Sequence, residues 1–290
     1  MAISLTRKEF YNLLWSETQT SLAKQFSVSD SAIGKVARNA NIPRPVRGYW
    51  QKIQNGKKVI PSPLPPRFPG ASDWIHFGIQ TQYAPFNTEN NKNPIEPKHN
   101  ESLEKIRVRV IEMVGKVAHP TLMKTTHTIT RRLLDQDSKF RKALESNHYS
   151  WEKPKFDSPI EKRRLRILNS LFLKTHALGC KPSMSNSKYD DYIEASFQVG
   201  DQHIHTTLES ITHKPRGRSK VIRKPYLKFT MNFGGHNSSG KLEWQDEDSS
   251  KLEQHLTPIV IELIMAGEQK YRNSLQWRYE RNVQQLEHRI

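Results

Sequence analysis

Cysteine is nearly missing from this chain of 290 residues: Cys180 stands alone, which excludes an internal disulfide and a Cys-rich zinc site. Long apolar runs are missing too. Mean hydropathy is −0.77, and no stretch reaches the roughly 20 apolar residues of a membrane-spanning helix. The start, Met1-Ala2-Ile3-Ser4-Leu5-Thr6-Arg7-Lys8, lacks the apolar character of a secretory signal. These absences lead to the expectation of a cytoplasmic protein with no membrane partner. Negative charge is the third scarcity. Asp and Glu number 29 against 46 Lys and Arg, a formal net charge of +17. No carboxylate cluster stands at metal-ligand spacing, so no metal, cofactor or catalytic residue is expected and the chain does not read as an enzyme.

An excess of cations on this scale suits a polyanion, because each phosphate contact releases counterions and adds affinity without reading sequence. On charge alone a nucleic acid competes with an anionic membrane surface. The distribution along the chain is more informative. Residues 1–58 read as a small helical unit. Phe10, Leu13 and Leu14 recur at helical spacing, and Thr6 with Glu9 three residues on forms a capping box. Residues 59–100 read as a linker: Ile60-Pro61-Ser62-Pro63-Leu64-Pro65-Pro66 cannot continue a helix, and Asn87 to Asn100 is polar and Pro-containing. Trp74, Phe77, Tyr83 and Phe86 are apolar for a spacer and suggest partial docking.

Residues 101–290 read as a helical and antiparallel-sheet domain ending in a long helix. Leu103, Ile106, Val110, Met113 and Val117 keep a helical period, and a second helix is expected over Thr121 to Ser146. Ser158-Pro159-Ile160-Glu161 is a helix start, and that helix is expected to end at Gly179. The period then becomes two. Ile193, Ala195, Phe197 and Val199 alternate with polar residues before a Gly200-Asp201 turn, and strands are expected over His203–Glu209, Tyr226–Phe233 and Lys241–Asp246. A charged helix from about Ser249 closes the chain. The fold class is therefore α+β: an N-terminal helix-turn-helix, a helical middle, a small antiparallel sheet flanked by helices and a long charged C-terminal helix.

The helix-turn-helix rests on spacing. Such a unit needs a small residue where two helices cross, apolar residues on the facing sides and a tight turn. Ala23 is the small residue, Leu22 and Phe26 face Ile33 and Val36, and Ser27-Val28-Ser29 is the turn, with Ser27 where glycine is commonest. An ordinary helical hairpin satisfies the same pattern. The residues that follow favour DNA: Asn41-Ile42-Pro43-Arg44-Pro45-Val46-Arg47-Gly48-Tyr49-Trp50 is rigid and basic, and through residue 60 ten Lys and Arg face Glu9, Glu17 and Asp30, a local charge of +7. In this reading Ser29 to Asn39 enters the major groove of double-stranded DNA. Ser29 caps the helix, and Ser31, Gly34, Lys35, Arg38 and Asn39 face outward, with Lys35, Arg38 and Asn39 on base edges. Arg44, Arg47 and Lys52 hold phosphates or the adjacent minor groove. Tyr49 and Trp50 read as packing residues.

Leu5-Thr6-Arg7-Lys8, Leu14-Trp15-Ser16-Glu17, Leu22-Ala23-Lys24, Val28-Ser29-Asp30 and Ile42 to Trp50 together resemble the N-terminal module of uncharacterised bacterial helix-turn-helix proteins often associated with mobile elements. The pattern there runs Thr-Arg-Glu-Glu, Trp-Ser-Glu-Pro, helix-turn-helix, Pro-Arg-Gly-Tyr-Trp. Here Thr18 and Val46 each replace a usual proline. The match covers about 60 residues. It implies DNA binding and brings no catalytic residue; a regulator or accessory factor of a mobile or defence element is the expectation drawn from the whole reading.

No acidic residue lies between Glu209 and Glu243, and Lys214, Arg216, Arg218 and Lys220 sit on a strand connection suited to following a phosphate backbone or to being a solvated loop. His203 and His205 share a strand face, and His213 and His236 could join them, but no Asp/Glu cluster or second Cys stands at ligand spacing, though Asp201 and Glu209 are nearby, so ordinary surface or hydrogen-bonded histidines are expected. Phe233-Gly234-Gly235-His236-Asn237-Ser238-Ser239-Gly240 leads into a strand rather than a helix and reads as a hairpin, not a phosphate loop. Cys180 reads as a buried thiol, and Arg163, Arg164 and Arg166 as the solvated face of a helix. The C-terminal half is expected to sense a ligand, bind a protein partner or form a dimer. Two other readings stay open: a DNA-targeted effector or nuclease, which predicts a carboxylate cluster, and an RNA-binding or structural nucleoprotein component, in which residues 59–290 bind alone.

Overall fold

Thr6 sets the first helix in place. In the computed structural model its Oγ1 accepts the Glu9 N–H at 3.2 Å while Glu9 Oε2 accepts the Thr6 N–H at 2.7 Å, the reciprocal pair expected from the sequence. The structure describes residues 3–77, 95–118, 124–146, 154–184, 192–211, 225–234 and 240–288. These fall into two units, Met1–Pro97 with Leu275–Ile290, and Lys98–Ser274. No described helix is long and apolar enough to cross a membrane.

The first unit runs β1 (Ile3–Thr6), α1 (Arg7–Ser16), α2 (Gln19–Gln25), α3 (Asp30–Asn39), α4 (Tyr49–Gln54) and β2 (Trp74–Phe77). Helices α2 and α3 end alike. Ser27 and Asn41 each take φ +53°, and the next N–H reaches back into the last turn, Val28 to Ala23 O at 2.9 Å and Ile42 to Ala37 O at 2.8 Å. These are Schellman closures, in which a left-handed residue satisfies carbonyls that the helix end leaves open. The core is Phe10, Leu14, Leu22, Ala23, Phe26, Ile33, Ala37 and Ile42, completed by Ile75 and Phe77.

Those last two residues correct the domain boundary. The segment from 59 was expected to be a linker, but its first part belongs to the fold. β2 pairs antiparallel with β1 in the register Ile3↔Phe77 to Thr6↔Trp74. Tyr11 Oη donates to Ser62 O at 2.8 Å, and the Arg7 N–H donates to Asp73 O at 2.8 Å. The unit therefore extends to at least residue 77. Prolines 61 to 66 keep the chain extended over the helices rather than holding it away from them.

The second unit runs α5 (Leu103–Lys116), α6 (Thr128–Glu145), α7 (Pro159–Ala177), then strands β3 (Lys181–Met184), β4 (Tyr192–Val199), β5 (Gln202–Ile211), β6 (Tyr226–Asn232) and β7 (Lys241–Gln245), and the long α8 (Leu256–Glu287), which extends beyond it. The five strands form an antiparallel meander in sequence order. One face carries Ile193, Phe197, Val199, Ile204, Leu208, Phe229 and Met231, all buried. Phe172 of α7 meets Phe197 at 5.8 Å between ring centroids, and Gly267 of α8 sits against Val199. Strand β3 was not anticipated, because four residues containing Pro182 give no alternation to read.

Two arginines of α7 are not the solvated face expected of them. Arg164 is 2% exposed and donates to Glu161 Oε1 at 2.6 Å and to Leu208 O at 2.9 Å. Arg163 clasps Asp246 at 2.5 and 2.7 Å, with Glu253 on its other edge. Arg166 is exposed as expected. Burial alone would raise the pKa of Asp246, but Arg163 and the N–H groups of Leu227 and Leu252 outweigh it and hold the carboxyl at about 2, below its ordinary 3.8. A depressed carboxyl stabilises the fold above its unfolded pKa and loses that contribution as pH falls through the folded value. Thermal unfolding of this unit, followed against pH, is expected to drop between about pH 4 and about pH 2, and Asp246→Asn should flatten that interval.

Candidate nucleic-acid interface

Helix α3 is fixed from three sides before any of its outer residues is considered. Ser29 Oγ accepts the Ala32 N–H at 3.2 Å and caps the N-terminus as expected. Ile33 and Ala37 are fully buried. Ala23 of α2, 4% exposed, shares one core with Ile33 and Ala37. Between the two helices the Gln19 side-chain amide donates to Asp30 O, and Thr20 Oγ1 donates to Asp30 Oδ2 at 3.2 Å. What α3 leaves in solvent is Asp30 in its first turn, whose carboxylate Thr20 holds, and then Ser31, Lys35, Arg38 and Asn39, with Ser29 at its start. Short hydroxyls come first and longer basic and amide side chains follow, on one polar face.

Gly34 departs from the expected outward face. It is buried, and a Cβ built on it would lie 2.6 Å from Arg44 Nη1. The guanidinium that covers it comes from ten residues downstream, where no helical period could reveal it.

The basic segment after α3 is anchored at close intervals. Ile42 is buried, and Trp15 Nε1 donates to Pro43 O at 3.2 Å. Tyr49 is 4% exposed, edge-on to Trp15 at 5.0 Å and to Trp50 at 5.1 Å, so both aromatics of the Gly-Tyr-Trp run serve packing. Gly48 takes φ +82° to begin α4, a conformation that L side chains rarely adopt. Arg47 and Lys52 remain exposed. Arg38 and Arg44 flank a shallow depression of about 340 Å³ that Asn41, Pro43, Pro63 and Pro65 also line.

Arg7 was missed by the sequence reading. It is 6% exposed, and its guanidinium donates to Ala40 O at 3.0 Å, Asn41 O at 3.2 Å and Pro65 O at 3.3 Å. It thus ties the end of α3 to the extended segment. Burial lowers its pKa, opposed by the carboxylate of Asp73. A signal was present: a cation in the first turn of a helix opposes the helix dipole, so Arg7 needed a tertiary reason to stand there.

Lys214, Arg216, Arg218 and Lys220 lie outside the described residues, between β5 and β6. His203 and His205 are exposed on the solvent face of β5, while His213 and His236 lie outside the described residues. Among the described residues no three His, Cys, Asp or Glu side chains gather to hold a metal ion. Cys180 is 1% exposed and burial pushes its thiol up to about 12, which leaves it unreactive. Gly235 to Ser239 of the glycine-rich stretch also fall outside the described residues. Comparison with protein-family models, curated proteins and solved structures finds no match to this chain.

Proposed function

We propose that this protein binds double-stranded DNA sequence-specifically, with α3 in the major groove. The observation that carries the proposal is the division of α3 into two faces. Ile33 and Ala37 are fully buried, while Ser31, Lys35, Arg38 and Asn39 stand together in solvent on a capped, braced helix. A helix of this width fits the major groove, and Arg, Lys and Asn are the side chains that pair with guanine and adenine edges there. Arg47 and Lys52 hold flanking phosphates. The local charge of +7 over residues 1–60 supplies the sequence-independent part of the affinity. The resemblance of this module to helix-turn-helix proteins associated with mobile elements supports a role as a cytoplasmic regulator or accessory factor of a mobile or defence element. The second unit supplies ligand sensing, a partner surface or dimerisation.

Arg38 tests the proposal. Arg38→Ala is expected to weaken binding to the selected site by about 1–3 kcal/mol, roughly 5- to 150-fold, with a smaller loss on random duplex. Fluorescence anisotropy with both duplexes at fixed salt measures the two losses. Equal losses would reassign Arg38 to a phosphate, and no loss on either duplex would remove α3 from the interface.

A further inference from the structure

Gly34 follows Ser31 by three residues and precedes Arg38 by four, so the three share one side of α3. Ser31 and Arg38 are exposed while Gly34 is buried. A Cβ at Gly34 would meet Arg44 Nη1 at 2.6 Å and Gln19 Nε2 at 3.4 Å. The missing side chain leaves a notch, and the Arg44 guanidinium occupies it.

We infer that Arg44 reads a base: seated in the Gly34 notch, its guanidinium is a specificity-determining group that donates to O6 and N7 of a guanine beside the base pairs met by Lys35 and Arg38. From the sequence, Arg44 is expected on a phosphate or in the adjacent minor groove. The inference rests on DNA binding through α3.

Three features hold the group in place. Arg44 stands between Pro43 and Pro45; the first has its φ locked by its ring, and the second confines Arg44 itself to extended backbone. The segment is pinned at both faces, by the Ile42 N–H on Ala37 O at 2.8 Å and by Trp15 Nε1 on Pro43 O at 3.2 Å. Gln19 is the positioning residue. Its amide nitrogen is committed to Asp30 O, which turns its oxygen toward Arg44 Nη1 at 3.4 Å. Among the described residues only Gln19 takes a hydrogen bond from this guanidinium. A guanidinium carries five N–H donors in a rigid fork, so a pair remains for a bidentate acceptor. Guanine presents such a pair of acceptors in the major groove. A phosphate also does, and the test separates them.

The experiment selects bound duplexes from a random library using the full chain as parent, Arg44→Ala, Gly34→Ala and the double variant. The parent motif is expected to contain one guanine whose preference vanishes in Arg44→Ala while the other positions persist. Gly34→Ala should lose the same guanine, because the added methyl displaces the flexible end of Arg44 and leaves the backbone in place. Its melting temperature should match or exceed the parent's, since alanine is the better helix former. Affinity for the parent site should fall about 5- to 150-fold in each single variant. The double variant should fall no further than the weaker single, the mark of two residues acting as one.

Additive losses would show that Gly34 and Arg44 act separately and would overturn the inference. A uniform loss on all sequences, with a log–log salt slope shallower by about 0.9, would make Arg44 a phosphate contact. A parent motif that survives Arg44→Ala intact overturns the role of Arg44 alone. A parent that enriches no motif overturns both this role and sequence reading by α3.

Discussion

Phe77→Ala is expected to cost the first unit about 3–5 kcal/mol, the usual range for truncating a buried phenylalanine. Phe77 is 3% exposed, its ring stacked on Phe26 at 4.7 Å and tilted against Phe10 at 5.2 Å. Truncation leaves a cavity against Phe10 of α1 and Phe26 at the end of α2, so the loss is not confined to the strand that carries it. Phe77 also lies opposite Ile3, which fixes the outer end of the β1–β2 pair. Small domains hold only about 5–15 kcal/mol in total, so the variant should populate an unfolded first unit at moderate temperature. Hydrogen exchange of the full chain, read by peptide, checks this. Amides of α1, α2 and α3 should lose protection while β4 to β6 keep theirs. Loss restricted to residues 3–6 and 74–77 would make the pair an appendage and return the boundary to about residue 58.

Arg7→Met should be nearly as damaging. Methionine keeps most of the apolar volume and removes every donor, so the carbonyls of Ala40, Asn41 and Pro65 lose a partner at once. A buried group left unsatisfied costs about 1–3 kcal/mol. Non-additivity within one cluster brings the expected total to about 2–5 kcal/mol. Arg7→Lys should recover only part of this, because one ammonium cannot replace a guanidinium fork aimed at three acceptors. Hydrogen exchange of the full chain, read by peptide, checks the result as lost protection in α1 to α3. An Arg7→Met protein protected like the parent would show that water satisfies those carbonyls.

Much of the first unit was legible because its rules are local. The Thr6–Glu9 box, the Ser29 cap, the small residue at Ala23 and the turn over Ser27 to Ser29 each need only a few neighbouring residues. Pairing of β1 with β2 needs residues 3 and 77 together, and four-residue strands carry too little alternation to announce themselves. The outward face of α3 was legible at Ser31, Lys35, Arg38 and Asn39. It misled at Gly34, where a helical period shows which way a position points but not what arrives from outside the helix. The period-two stretch from Ile193 was plain because only one face of that sheet is covered. Arg164 was misread for the converse reason. Helix α7 is buried around much of its circumference, its buried residues including Arg164, Leu165, Ile167, Leu168, Asn169 and Ser170. No polar stripe marks its solvent side.

The ribbon of β1 and β2 also governs how the first unit bears load. Ile3 faces Phe77 and Thr6 faces Trp74, so the chain comes in and goes out at the same end of the ribbon. A pull applied between those two points opens the pair rung by rung, like a zip, instead of shearing all rungs together. The core beneath then meets the force only after Phe77 has been drawn from between Phe26 and Phe10. The same adjacency leaves the two ends of the ribbon one strand spacing apart, about 5 Å, so a short tether between residues 3 and 77 would span them without stretching the pair.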